Sequence, residues 1–224
     1  MDDVLDLFNA VGRGDDAVVS RVIAQRPNLA RARDAATLSV LQFARYMQRD
    51  EILRALVAAG PPLDTFEAAM LDDGASLERI LAADPAQLGA YSSDGFTPLH
   101  LAAYFGSTAA MRILLDAGAG MEAVTRNFLT NMPLHAAAAG GRVETCELLL
   151  EYGADVNAIQ HGAHTPLHTP AFTNNRAMAE LFLTHGADSS AKNDDGKTAS
   201  DIASGMGNLE LAALLRVHES RSLA

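Results

Sequence analysis

Gly95-Phe96-Thr97-Pro98-Leu99-His100-Leu101-Ala102-Ala103 opens a segment that goes on through Gly106, Ile113-Leu114-Leu115 and Gly118-Ala119. Met132-Pro133-Leu134-His135 opens the same pattern 35 residues later and runs on to Leu148-Leu149-Leu150 and Gly153-Ala154-Asp155. Thr165-Pro166-Leu167-His168 follows after 33 residues, and Thr198-Ala199 after another 33. Each unit carries its own local logic. A Thr hydroxyl caps a first helix, and the next Pro stands at N1, where its missing N–H costs nothing. Gly106 and Gly141 suit the turn between two helices. Leu114, Leu149 and Phe182 fall at helical spacing on the inner face of the second helix, which Gly118, Gly153 and Gly186 end.

A period near 33 with this signature resembles the ankyrin repeat. The resemblance implies an all-α ankyrin-repeat solenoid of about seven helix pairs, with short β-hairpin-like finger loops such as Asp155–His164. Carried outward, the register places Leu7–Val11 with Val18–Ile23, beside Asp2, Asp3 and Asp6. It pairs Leu41–Met47 with Ile52–Val57, ending at Gly60, and Phe66–Leu71 with Leu77–Leu81. The last pair holds Asp201–Ala203 and Leu211–Leu215, with Arg216, His218, Glu219 and Arg221 as a polar cap. The third pair is truncated: Gly60 to Pro85 is 25 residues, and Pro61-Pro62 leads almost directly to Thr65-Phe66 with no room for a finger. Residues 1–90 therefore read as divergent repeats and 91–224 as well-matched repeats with a C-terminal cap, in one continuous solenoid.

Composition narrows the function. Net charge is −11, opposite to what phosphate neutralisation needs, so neither nucleic acid nor a membrane surface is an expected partner. No 18-residue apolar run is present, and Met1-Asp2-Asp3-Val4 does not read as a signal peptide. The single cysteine, Cys146, forms no internal disulfide and reads as a buried small hydrophobe. A cytoplasmic location is expected. Lys192 and Lys197 are the only lysines against many arginines, a bias common in GC-rich bacterial genomes.

His100, His135 and His168 recur at one repeat position. The resemblance gives them a structural role, holding neighbouring loops in register, and a catalytic His need not repeat. His161, His164 and His168 form an H-x₂-H-x₃-H string that zinc could accept. However, His168 should point into the stack and the other two to solvent. No phosphate-binding Gly-rich loop, G-x-S-x-G or H-E-x-x-H occurs. Asp72-Asp73 and Asp194-Asp195 read as turn and finger residues. No catalytic residue, metal ligand or cofactor is expected.

The aromatics are the informative excess. The family binds partners through its finger tips and the exposed side of its first helices. In this register Tyr91, Phe96 and Phe128 fall in fingers. Tyr104 and Phe105 end a first helix, with Tyr46, Phe172 and Met206 at equivalent places. Seven of the twelve aromatics thus map to the expected groove, and interfaces favour such anchors. The alternative is that one of each Tyr104/Phe105-type pair packs against the next repeat. The finger before Pro133 carries two extra residues with Phe128-Leu129, Met132 replaces the capping Thr, and Pro170 interrupts a first helix. Asn174 stands where the turn Gly is expected. The sequence thus reads as a non-catalytic, monomeric module that binds a protein or peptide through its concave face. The alternatives are a metal-binding or enzymatic protein using the His161/His164 finger, or a homo-oligomer formed through the groove.

Overall fold

Short polar caps and left-handed turn residues divide the chain into helices too brief to stand alone, so each must bury its apolar face on a neighbour. The computed structural model describes residues 3–60 and 62–222. Asp2 and Pro61, and the side chain of Arg221, lie outside the described residues. Among the described residues there are fourteen α-helices: α1 (Asp3–Arg13), α2 (Asp16–Gln25), α3 (Val40–Tyr46), α4 (Asp50–Ala58), α5 (Thr65–Met70), α6 (Gly74–Ala83) and α7 (Pro98–Phe105). They continue with α8 (Thr108–Asp116), α9 (Pro133–Ala139), α10 (Val143–Glu151), α11 (His168–Thr173), α12 (Arg176–Thr184), α13 (Ala199–Gly205) and α14 (Leu209–Ser222). Among the described residues there is no sheet, only two isolated bridges, Arg33 with Ser39 and Gln160 with His164. The fold is all-α, built of short helix pairs joined by tight turns, as the sequence leads one to expect.

Two compact units fall at Met1–Glu67 and Ala68–Ala224. In the first, Leu7, Val11, Val19, Leu41, Ile52 and Leu56 make the core. Ser39 and Gln42 form a capping box that starts α3. The expected loss of a finger before α5 is present, and a polar cluster stands in its place. Asp64 and Glu67 exchange backbone and side-chain hydrogen bonds at 2.9 and 2.7 Å, and Asp64 pairs with Arg33. Glu67 is buried, and that burial, with Asp64 adding to it, raises its pKa above the usual carboxylate range.

In the second unit Leu77, Met111, Leu114, Leu149, Phe182 and Leu215 form the core. Alanines fill the first helices, and small side chains let these helices approach closely. The approach is tightest at Gly140, where a Cβ would overlap the carbonyl oxygen of Tyr104. Recurrent polar bonds tie successive repeats. The Ser107 hydroxyl donates to the Met70 carbonyl at 3.2 Å, Thr145 to Ala103 at 3.1 Å, and the Asn208 amide to Ala171 at 3.0 Å. Met70, Ala103 and Ala171 occupy one repeat position, so the same carbonyl is satisfied by a different side chain each time. Asp72 and Asp73 are also structural. Asp72 accepts from the Ala110 N–H, and Asp73 caps α6 through Ser76.

Pro170 does distort its helix. Pro166 does not open α11, which begins only at His168. The preceding turn is closed by bonds from His168 to Thr165 and from Thr169 to Pro166, because Pro170 has no N–H to give. Thr165 correspondingly caps through the His168 ring rather than through a backbone N–H. Asn174 takes the left-handed conformation with φ 54°, as expected of a glycine substitute.

Candidate partner-binding face

Each finger is closed by one backbone bond. It runs from Asp34 to Leu38 in the first unit. In the second unit it runs from Ser92 to Phe96, Thr125 to Asn131, Gln160 to His164 and Asn193 to Lys197. The Thr125–Asn131 finger holds the two extra residues as a wider loop. In the second unit the fingers are joined edge to edge. Arg126 N–H donates to Gly95, His161 to Leu129 and Asp194 to Gly162, at 2.9, 3.3 and 3.0 Å.

The repeated histidines hold this row. His100 Nδ1 accepts from Thr97, and Nε2 lies 3.1 Å from the Asn131 carbonyl of the next finger. His135 spans Met132 and Ala158, and His168 spans Thr165 and Lys197, in the same way. Burial lowers the pKa of His100 and His135 to about 4 and also lowers that of His168. These imidazoles are neutral and engaged at both nitrogens, which leaves neither nitrogen for proton transfer. His164 is likewise engaged, through Asn193 at 3.2 Å and the His161 carbonyl at 3.3 Å. Among the described residues no three His, Cys, Asp or Glu side chains are placed to hold a metal ion. Cys146 is buried, and desolvation raises its thiol to about 12.

The aromatics divide into presented and committed side chains. Tyr104 is 41%, Phe172 45%, Met206 57% and Phe128 79% exposed. Phe105 is a correction: expected in the groove, it is buried at 9%, turned inward with its ring edge-on to Tyr104 at 5.0 Å. One more step around the helix rotates a side chain by about 100°, enough to move it from rim to core. Phe96 is half-buried against His100, with ring centroids 6.2 Å apart. Tyr91 is half-buried and in use: its hydroxyl donates to the Val124 carbonyl at 3.0 Å, and Arg126 stacks on its ring at 3.8 Å. Tyr46, in the first unit, is half-buried.

Two residues that the sequence reading passed over complete the finger surface. Val124 and Ile159 share the repeat position of Tyr91, immediately before each closing donor, and are 39% and 62% exposed. Phe128 and Leu129 stand between them on the wide finger. The signal was legible as an apolar residue at one position in three consecutive fingers. It went unseen because the finger register is set by the closing bonds, not by the Thr-Pro-Leu-His motif.

Residues 65–160 match the family model for ankyrin repeats, in three copies. This stretch therefore carries ankyrin repeats, and such repeats are in general protein–protein interaction modules. No curated protein matches the chain. No helix among the described residues is long and apolar enough to cross a membrane.

Proposed function

We propose that this chain is a non-catalytic module that anchors a protein or peptide partner on the second unit. Tyr104, Phe172 and Met206 serve from the first helices, and Phe128 serves from the wide finger. The observation that carries the reading is the exposure of these large apolar side chains on elements that are otherwise rigidly hydrogen-bonded. Rigid presentation limits the entropy lost on binding, and exposed apolar surface of this kind marks interaction sites. Tyr91, Phe96 and Phe105 support the face from beneath, and Tyr46 belongs to the first unit. A net charge of −11 favours a basic or neutral partner over nucleic acid. The protein works as a cytoplasmic monomer without a cofactor.

The test is affinity capture from the native organism with the wild-type chain and with Tyr104→Ala/Phe172→Ala. A partner held by the wild type should bind the folded variant at least tenfold more weakly, each anchor being worth about 2 kcal/mol. A variant that keeps full affinity would place the binding surface elsewhere.

A further inference from the structure

The repeat position that carries Tyr104 in α7 carries Ala139 in α9, Phe172 in α11 and Gly205 in α13. Large and small side chains alternate along it. Gly205 is one of the residues that line an open pocket of about 340 Å³. Phe172 and Met206 wall it, Ile202 lies at its floor, and His164 sits 6.0 Å from the Phe172 ring. Two carboxylates reach the same space, Asp195 from the last finger and Asp201 from α13. Asp201 spends Oδ2 on the Thr198 N–H and hydroxyl. The carboxylate of Asp195 is exposed and makes no hydrogen bond or ion pair among the described residues, its backbone N–H alone being engaged, by Asn193. Among the described residues Lys197 is the one opposing cation in the lining, so the two carboxylates leave the pocket with net negative charge.

An aromatic ring beside a carboxylate without a hydrogen-bond or ion-pair partner is the chemistry that recognises a cation on an apolar stem. The guanidinium or ammonium is attracted to the ring face and to the carboxylates together, while the methylenes lie on Phe172 and Met206. We propose that this cavity receives an arginine or lysine side chain of the bound partner and so selects a basic residue at that point. The proposal rests on the partner-binding reading above and gives it a chemical specificity.

The test uses N-acetyl-arginine amide as probe, followed by NMR of the isotopically labelled full-length chain, with the neutral isostere N-acetyl-citrulline amide as control. Saturable shifts are expected at the amides of Asp195, Gly205 and Met206, with the citrulline probe bound about fivefold more weakly, the scale of one exposed ion pair. Asp195→Asn should weaken the arginine probe by a similar factor, and Lys197→Met should tighten it. Gly205→Leu should abolish the shifts by filling the space. A Cβ at Gly205 would meet no atom within 4 Å, and its φ is not left-handed, so the backbone there accepts a side chain; the circular dichroism spectrum of the variant checks that the fold is kept. Equal binding of the citrulline probe, preference for N-acetyl-aspartate, shifts confined to other residues, or no saturable shift would each overturn the proposal. Because the probe needs no partner, such a failure leaves the Tyr104/Phe172 face untouched, and the capture experiment reads that face separately.

Discussion

His100 and His135 do at residue scale what the whole finger row depends on. Each ring donates through Nε2 to the next finger's carbonyl and accepts at Nδ1 from its own helix cap, an arrangement that only the neutral form allows. In the unfolded chain these rings protonate near 6.5, and in the fold only near 4. Between those values the unfolded state binds more protons. Stability is thus fully present above about pH 6.5 and is lost as the pH falls toward about 4. Urea unfolding of the wild type across that window should show the loss. The difference between the wild type and His100→Gln should shrink as the pH falls, because the variant lacks one of the titrating rings. Gly140 is the second decisive residue. Its place against the Tyr104 carbonyl leaves no room for a methyl group, so Gly140→Ala should cost about 2–3 kcal/mol in the same assay, although helix propensity alone favours alanine. The Thr-Pro-Leu-His histidines were legible in the sequence as structural because they repeat. Gly140 was not, because the backbone that crowds it belongs to a helix 36 residues earlier, and no local pattern reports that approach.

The element that varies most is the finger. Its residue before the closing acceptor takes positive φ. That residue is glycine at Gly95 and Gly196, but Thr37, Thr130 and Ala163 hold φ of 67°, 45° and 55° at the same place. A β-branched residue there is strained by about 1–2 kcal/mol. Glycine relieves the strain but loses more backbone entropy on folding, so Thr130→Gly should raise stability by a net of about 0.5–1 kcal/mol. Thermal or urea unfolding of this single variant checks it, and an unchanged or lowered stability would show that the Thr130 side chain holds the wide finger. Helix pairs, caps and Gly turns were readable because each is written in three or four adjacent residues. The 3₁₀ turns at Pro27–Arg31 and Pro85–Gly89 were not. They replace the glycine ending of the second helix with a proline start, so no repeated letter marks them. That one of Tyr104 and Phe105 packs inward stood as an alternative in the sequence, but which one did not, since both rings are neighbouring and only the helix rotation fixed by packing separates them.

At the scale of the whole chain, short helices present apolar side chains on a hydrogen-bonded support within each unit. Its core and its presented surface are made of the same residue types, and energetics must tell them apart. Urea unfolding of Tyr104→Ala, Phe172→Ala, Phe105→Ala and Leu114→Ala at pH 7 makes that distinction most directly. Leu114 is fully buried, and its truncation should cost about 2–5 kcal/mol by opening a cavity. Phe105→Ala should fall in the range of about 3–5 kcal/mol for the same reason. Tyr104→Ala and Phe172→Ala should each cost about 1 kcal/mol or less, the worth of a ring contact at an exposed site. If these two variants lose as much stability as Leu114→Ala, their rings belong to the core, and the exposed aromatics are packing rather than a surface held out for a partner.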